Sequence, residues 1–502
     1  MNHAVNMTGI TMQFPKVRAN DNVDFAVRKE EIHALVGENG AGKTTLMNIL
    51  YGLYQPTSGK IEVHGKECIF HSAIDAIRAG IGMVHQHFML IPRLSIADNI
   101  VLGGEPRSGF RYDRSEAIRK VSSLCAQYDM GLDCEEIVGK KSLGIQQRTE
   151  IMKALYRKAD ILILDEPTAV LTPQEIDELG NMLKHLKEMG NTIIIITHKL
   201  QEVIDFSDRV TVMRQGKIEG TVNTADSNVE ELTRMMVGRS VHLGGNKQDV
   251  PLKNVMLEVK ELSYHDGRTE KLKDFSLRVH CGEIVGIAGI DNSGQKELTE
   301  IIAGVKKPSA GQVFLAGKDI TGSPVRNIKE QGVGFIPQDR RKDGLVLTMT
   351  VKENLMLGYQ NSGIFKKGIF LNDKGINQNA VDQIGQFDIR PWNRDAIAET
   401  LSGGNQQKVV VAREVSHSSK LIIADQPSRG VDIGAIELIH DTLVKARNQG
   451  QAVLLVSLEL DEVMMLSDRI AVIHDGKLQG ILDAATATRE EIGWLMAGGA
   501  KE

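Results

Sequence analysis

The chain has 502 residues, 60 basic and 65 acidic side chains, a formal net charge of −5, and 41% hydrophobic and 25% charged residues. At about 150 residues per domain this length suggests roughly three domains, and the composition excludes a disordered chain. The charges are mixed along the chain and leave no basic footprint for nucleic acid. Four cysteines (Cys68, Cys125, Cys134, Cys281) are too few for a disulfide framework, which points to a reducing, cytosolic setting.

In chain order, the opening stretch MNHAVNMTGITMQF lacks a basic region followed by a long apolar core, so no signal peptide is expected. Residues 32–36 read as a buried strand. Next comes Gly37-Glu38-Asn39-Gly40-Ala41-Gly42-Lys43-Thr44, a G-x4-G-K-[ST] pattern, with Thr45 extending the candidate set. Glycines let such a loop wrap its N–H groups around phosphate oxygens, and a helix N-terminus adds partial positive charge. In this pattern the lysine reaches the β- and γ-phosphates and the Thr44 hydroxyl ligates Mg²⁺. Leu46, Ile49, Leu50 and Leu53 then fall on one face of a helix.

His85 and His87 flank Gln86, but with no third ligand nearby a metal pair is not expected. Residues 161–164 form an apolar run ending in Asp165 and Glu166. Asp165 is placed to hold Mg²⁺, and Glu166 to polarise an attacking water as general base. Residues 192–197 read as another buried strand, followed by His198. Apolar runs of this length fall far short of the roughly 18 residues of a membrane span.

The second half repeats the first. SDRVTVMRQGKIEG at Ser207 recurs as SDRIAVIHDGKLQG at Ser467, offset 260, while Gly82–Gln86 matches Gly334–Gln338 at offset 252. The eight-residue difference implies an insertion in the second copy between Gln338 and Ser402. The expected domains are therefore 1–239 and 254–502, joined by a Gly-, Asn- and Pro-containing linker over 240–253. Strands alternating with helices argue for α/β domains with mostly parallel sheets.

Leu401-Ser402-Gly403-Gly404-Asn405-Gln406-Gln407 resembles the signature of ABC-type ATPases, and with LDEP at Leu164 and the phosphate loop the resemblance covers essentially the whole chain in both copies. It implies tandem P-loop domains, each with a mostly parallel core sheet, an antiparallel β portion and a helical subdomain. By this likeness Phe14 stacks on adenine, with Tyr264 its counterpart. Gln86, with Gln338 its counterpart, links the γ-phosphate and metal to a membrane partner, and His198 contacts the γ-phosphate.

The copies differ chemically. Between Gly289 and Gly294 the loop glycines persist, but Gln295 and Lys296 replace Lys43 and Thr44. Asp425 matches Asp165, Gln426 replaces Glu166, and Leu458 replaces His198. The signatures are altered the other way round, the first copy reading Lys141-Ser142-Leu143-Gly144. In the family two such domains pair head to tail. One site would then combine Lys43, Thr44, Gln86, Asp165, Glu166 and His198 with Ser402, Gly403, Gly404 and Gln406, and would hydrolyse ATP with Mg²⁺. The other would combine Gln295, Lys296, Gln338, Asp425 and Gln426 with Ser142 and Gly144, with little or no turnover.

Two ABC domains with a degenerate second half resemble the ATP-binding subunits of bacterial nucleoside and monosaccharide importers, with the nucleoside branch the nearer. The resemblance implies two membrane permease subunits, docked near the segments after Gln86 and Gln338, and indirectly an extracytoplasmic solute-binding protein. It also implies no nucleic acid, and a peripheral position on the cytoplasmic face of the membrane. The alternatives are a ribose- or galactose-type importer and, further off, a soluble twin-ABC ATPase acting on ribosomes.

Overall fold

Runs of branched aliphatic residues with no exposed face belong in the middle of a parallel sheet. Ile32–Gly37, Ile161–Asp165 and Thr192–Thr197 are such runs, buried along nearly their whole length. The computed structural model describes residues 3–499 apart from 16, 87, 169, 170, 172, 240, 242, 268, 418 and 419. In it Ile194 pairs in parallel with His33 on one side and Ile163 on the other. Ile81–Val84 and Arg209–Arg214 extend this sheet in parallel, and Lys217–Asn223 closes it antiparallel. A separate antiparallel sheet runs Arg18–Arg28, His3–Gln13, Ser58–Val63, Lys66–Cys68.

The helix Lys43–Leu50 seals the space between the two sheets, its Leu46, Met47, Ile49 and Leu50 in one core with Val5, Phe25 and Leu35. The expected apolar stripe ends early. The helix stops at Leu50, so Leu53 falls off its face and is 50% exposed, while Met47 takes a buried place instead. A helical layer of Ile96–Val101, Arg114–Gln127 and Leu143–Tyr156 packs over the other face, its helices capped by Ser95, Asp113 and Ser142.

The second copy repeats this plan. Its core sheet runs Val333–Ile336, Leu421–Asp425, Ala452–Val456, Ile284–Ala288, Arg469–His474, Lys477–Asp483. The eight extra residues are not one insertion but three. The helix caps Ser95 and Thr350 stand 255 apart, the helices starting at Arg114 and Asp373 stand 259 apart, and the turns starting at Val138 and Ala398 stand 260 apart. Three residues therefore enter after Gln338, where Arg340–Gly344 forms a π-helical turn capped by Asp339. Four more enter before Asp373 and one before Ala398.

The chain divides into two units, 1–241 and 242–502. Part of the segment expected as linker lies along the second unit. Lys247 donates to the Ser467 carbonyl at 2.6 Å, Asn448 to the Asn246 carbonyl at 2.8 Å, and Arg447 to the Gln248 carbonyl. Among the described residues no helix is long and apolar enough to cross a membrane.

Candidate functional site

Parallel strands deliver their carboxyl ends to one edge of the sheet, where ligands of such folds bind. In the first unit that edge carries the loop after Gly37, the Asp165–Glu166 pair and His198 together. The loop is shaped by close backbone approach. Gly42, at φ 102°, leaves no room for a side chain, because a Cβ there would stand 2.3 Å from the Ala19 carbonyl oxygen. Asn20 fixes the same point by donating to the Gly42 carbonyl at 3.2 Å. Lys43 is buried and folds back to donate to the carbonyls of Gly37 (2.6 Å) and Glu38 (3.1 Å). Burial lowers its ammonium below the ordinary lysine value, against the pull of Glu166, Asp165 and Glu38. Thr44 is exposed at the start of the helix, and Thr45 is half-buried behind it.

Glu166 is held at φ 49°, a left-handed conformation costly for a residue with a side chain. Its N–H donates to the Ile196 carbonyl at 2.8 Å, which pins it between two strands. The His198 Nδ1 lies 2.8 Å from Glu166 Oε1. Burial pushes the Glu166 carboxyl up, but the bond from His198 and the charges of His198, Lys43 and Lys199 outweigh it, leaving it below the usual glutamate value. Asp165 goes the other way. Burial, then the neighbouring Glu166 charge, raise it to about 6, with Lys43 opposing. Two adjacent carboxyls are thus driven apart, Glu166 kept ionised and Asp165 left short of positive charge.

Phe14 is half-buried in the turn after His3–Gln13, its ring meeting Tyr54 edge-on at 5.8 Å. Gln86 is exposed beyond Ile81–Val84. Of the apolar stretch that follows, His87 lies outside the described residues, Leu90 packs on the helical core, and Met89 and Ile91 are exposed. Beside them a cavity of about 180 Å³ is lined by Tyr51, His85, Met89, Glu150, Lys153 and Arg157, among others.

The second unit keeps the frame and changes the groups. Gln295 donates to the Ile290 carbonyl at 2.9 Å, the counterpart of the Lys43 bond to Glu38. Lys296, in the Thr44 position, lies 3.8 Å from Glu300 on the helix surface. Gln426 repeats the left-handed turn at φ 52° and the strand-to-strand bond, to Val456, at 2.8 Å. Its Oε1 accepts from the backbone N–H of Leu458 at 3.2 Å. Asp425 is pushed up to about 7 by burial, with the Thr299 hydroxyl donating to it at 2.8 Å. Tyr264, where adenine stacking was expected, is faced by Lys306 Nζ at 5.2 Å from its ring centre. Gln338 is half-buried after Val333–Ile336.

The signatures differ as well. In the first copy Gly144 donates its N–H to Glu175 Oε1 at 3.3 Å, so a carboxylate of the same unit occupies that amide. In the second, Ser402 Oγ accepts from Asn405 Nδ2 at 2.8 Å, and Gly403 and Gly404 open the helix Gly403–His417. Gln406, expected among the nucleotide contacts, is turned inward. It is buried and donates to the Ala398 carbonyl at 3.0 Å, which removes its side chain from the ligand-facing set. Sequence reasoning missed Asn20, Tyr54, Glu175, Thr299 and Lys306, because no motif spacing connects them to the residues they touch.

A family model described as ABC transporter matches residues 20–169 and 272–429. The chain belongs to the ABC transporter family. It is 48% identical to the nucleoside import ATP-binding protein NupA of Lactococcus lactis subsp. cremoris and 45% identical to the guanosine import ATP-binding protein NupO of Bacillus subtilis. Both alignments cover 99% of this chain and 98% of the relative. It is 44% identical to the glucose import ATP-binding protein TsgD13 of Haloferax volcanii, over 99% of this chain and 96% of that one. Among solved structures, the archaeal ribosome recycling factor aABCE1, in complex with ribosomal stalk protein aP1, superposes on 98% of this chain and 92% of its own. Its TM-score is 0.63 at 17% identity, a likeness of tandem ABC fold.

Proposed function

We propose that this ABC protein is the ATP-hydrolysing subunit of a nucleoside importer, with one working ATP site. The observation that carries the reading is that Lys43, Asp165 and the Glu166–His198 pair meet at one sheet edge, while the second unit has neutral or apolar groups in the Lys43, Glu166 and His198 positions.

In the working site Lys43 exchanges its internal carbonyl bonds for phosphate oxygens. Glu166, ionised by its contact with His198, takes the proton of the attacking water. Phe14 supports the adenine, and Ser402, Gly403 and Gly404 of the second copy complete the site. The donors also fit Mg²⁺, since Asp165, raised to about 6, is relieved by a divalent cation. Thr44, Gln86 and Asp165 would hold that ion, which neutralises charge building on the phosphates.

The exposed Met89 and Ile91, beside the cavity lined by Glu150 and Lys153, support docking of a membrane permease subunit on the cytoplasmic side. Relatives named for nucleoside and guanosine import support the solute class.

The test is uptake of radiolabelled nucleosides and of ribose by cells with and without the gene. Loss of nucleoside uptake alone is expected, and loss of ribose uptake alone reverses the solute assignment. Co-sedimentation with ribosomes, in place of capture with hydrophobic membrane subunits, overturns the transport reading.

A further inference from the structure

The insertion after Gln338 exists only in the second copy, and one of its side chains does not behave like a member of a solvated charge run. Arg340 turns inward from the RRKDG turn. Its Nη1 donates to the Arg429 carbonyl at 2.9 Å and its Nη2 to the Gly430 carbonyl at 3.3 Å. These carbonyls belong to the turn that follows Asp425 and Gln426. The same Nη2 lies so near the signature that a Cβ on Gly403 would stand 2.6 Å from it. A Cβ on Gly404 would stand 2.3 Å from Asp432 Oδ2, and Asp432 caps the next helix by accepting from Ala435 N–H at 2.8 Å. The signature glycines therefore seat against Arg340 and Asp432.

Among the described residues the Nε of Arg340 is buried without a partner. A buried donor left unpaired is disfavoured, so its retention beside the signature calls for a reason. In the first copy Leu143 takes the place of Gly403, with a 40% exposed side chain, and no inserted arginine exists there. The arginine and the glycine thus occur together, on the signature that is intact.

We infer that Arg340 is a positioning residue: a strut that holds the Ser402–Gly404 turn against the turn at 429–430, joined directly through Asp339 to Gln338. Asp339 fixes the base of the strut by accepting from the N–H groups of Arg341 and Lys342 at 3.0 and 3.1 Å. A displacement at Gln338 is then passed through two residues to the signature. This rests on the reading that the second copy's signature completes the first copy's ATP site.

The test compares steady-state ATPase kinetics and melting curves of the purified full chain with those of Arg340→Ala, Arg340→Lys, Arg341→Ala and Ser402→Arg. Misplacing a catalytic contact by about 1 Å can cost on the order of a hundredfold. Arg340→Ala is expected to lower kcat at least tenfold with KM for ATP within twofold, because ATP is first held by the Lys43 loop of the first copy. Melting temperature stays at the parent value, Arg340→Lys recovers part of kcat through one remaining donor, and Arg341→Ala behaves as the parent. If Arg340→Ala keeps kcat within twofold while Ser402→Arg abolishes turnover, the strut is overturned and the composite site stands. If Ser402→Arg also turns over normally, the composite site falls and the strut falls with it. A loss of kcat that only tracks loss of folded protein also overturns the strut.

Discussion

The two nucleotide edges share a backbone and differ in where their polar groups point their bonds. Glu166 and Gln426 occupy the same strained turn, tied by the same strand-to-strand hydrogen bond. Yet Glu166 faces an imidazole that can carry charge, whereas Gln426 spends its oxygen on the N–H of Leu458. Asp165 waits for positive charge, and Asp425 takes the Thr299 hydroxyl, a donor with no counterpart at Met47. The degenerate edge is not a ruin; its groups have turned inward and satisfied one another. The left-handed turn is therefore kept in both copies, with a carboxylate in one and a carboxamide in the other.

The comparison breaks most visibly at the general base. Removing one typically costs 10² to 10⁴-fold, so Glu166→Gln is expected to reduce phosphate release by about that factor while nucleotide binding persists. Gln426→Glu, made in parallel, should add no turnover, because Gln295 and Leu458 remain. Phosphate release by Glu166→Gln above a tenth of the parent rate would show that the second edge, or another base, does the work.

His198 sets how acidic Glu166 is. In the parent the ring holds the carboxyl below its usual value against burial. In His198→Ala burial is less opposed, the carboxyl titrates at higher pH, and the acid limb of the kcat–pH profile moves upward. A loss of roughly 10- to 100-fold at pH 7 is expected for a group assisting proton transfer. A uniform loss at every pH, with the limb unmoved, would mean that His198 acts on phosphate alone.

A smaller effect separates the two aspartates. Asp425 in the folded chain titrates near 7, above the 3.8 of an ordinary aspartate. The folded state thus holds the proton more tightly, and the cost of ionising Asp425 grows as pH rises from about 4 to about 7 and levels off above. Asp425→Asn should raise the melting temperature of the second unit at pH 8 and leave it nearly unchanged at pH 3.5. Calorimetry without nucleotide reads both values. Asp165→Asn, relieving a carboxyl raised only to about 6, should give the first unit the lesser gain. Equal gains at both pH values would mean that burial of charge is not the cause.

Much of this was legible in the sequence because it rests on local chemistry. A run such as residues 192–197 has no polar face, so it reads as a central strand, and G-x4-G-K-T declares its phosphates through spacing alone. The contacts that distinguish the copies were hidden because they are made across distance. Thr299 reaches Asp425 over 126 residues, and Glu175 reaches Gly144 over 31. The three-part insertion was hidden for another reason, since matched motifs on either side report only a net offset. Gln406 read as a ligand contact from its place beside the signature, but a helix turns every third or fourth residue inward, and position 406 falls on that face.

Glu175 offers the gentlest test of the contrast. Its carboxylate takes the N–H of Gly144 at the head of a helix, where backbone amides and the helix dipole favour an anion. If the first-copy signature faces the degenerate edge, this carboxylate competes with a phosphate for that amide. Glu175→Gln removes the charge and keeps the shape. In a Glu166→Gln background it should tighten ATP binding at the second edge by no more than about fivefold, since a dipole interaction of this kind contributes only about 0.3–1 kcal/mol. Turnover should stay absent, because neither Gln295 nor Gln426 gains a proton-accepting or phosphate-binding charge. A titration with a fluorescent ATP analogue reads the change. No change in affinity would mean that the bond between Glu175 and Gly144 shapes the helix start and has nothing to do with nucleotide.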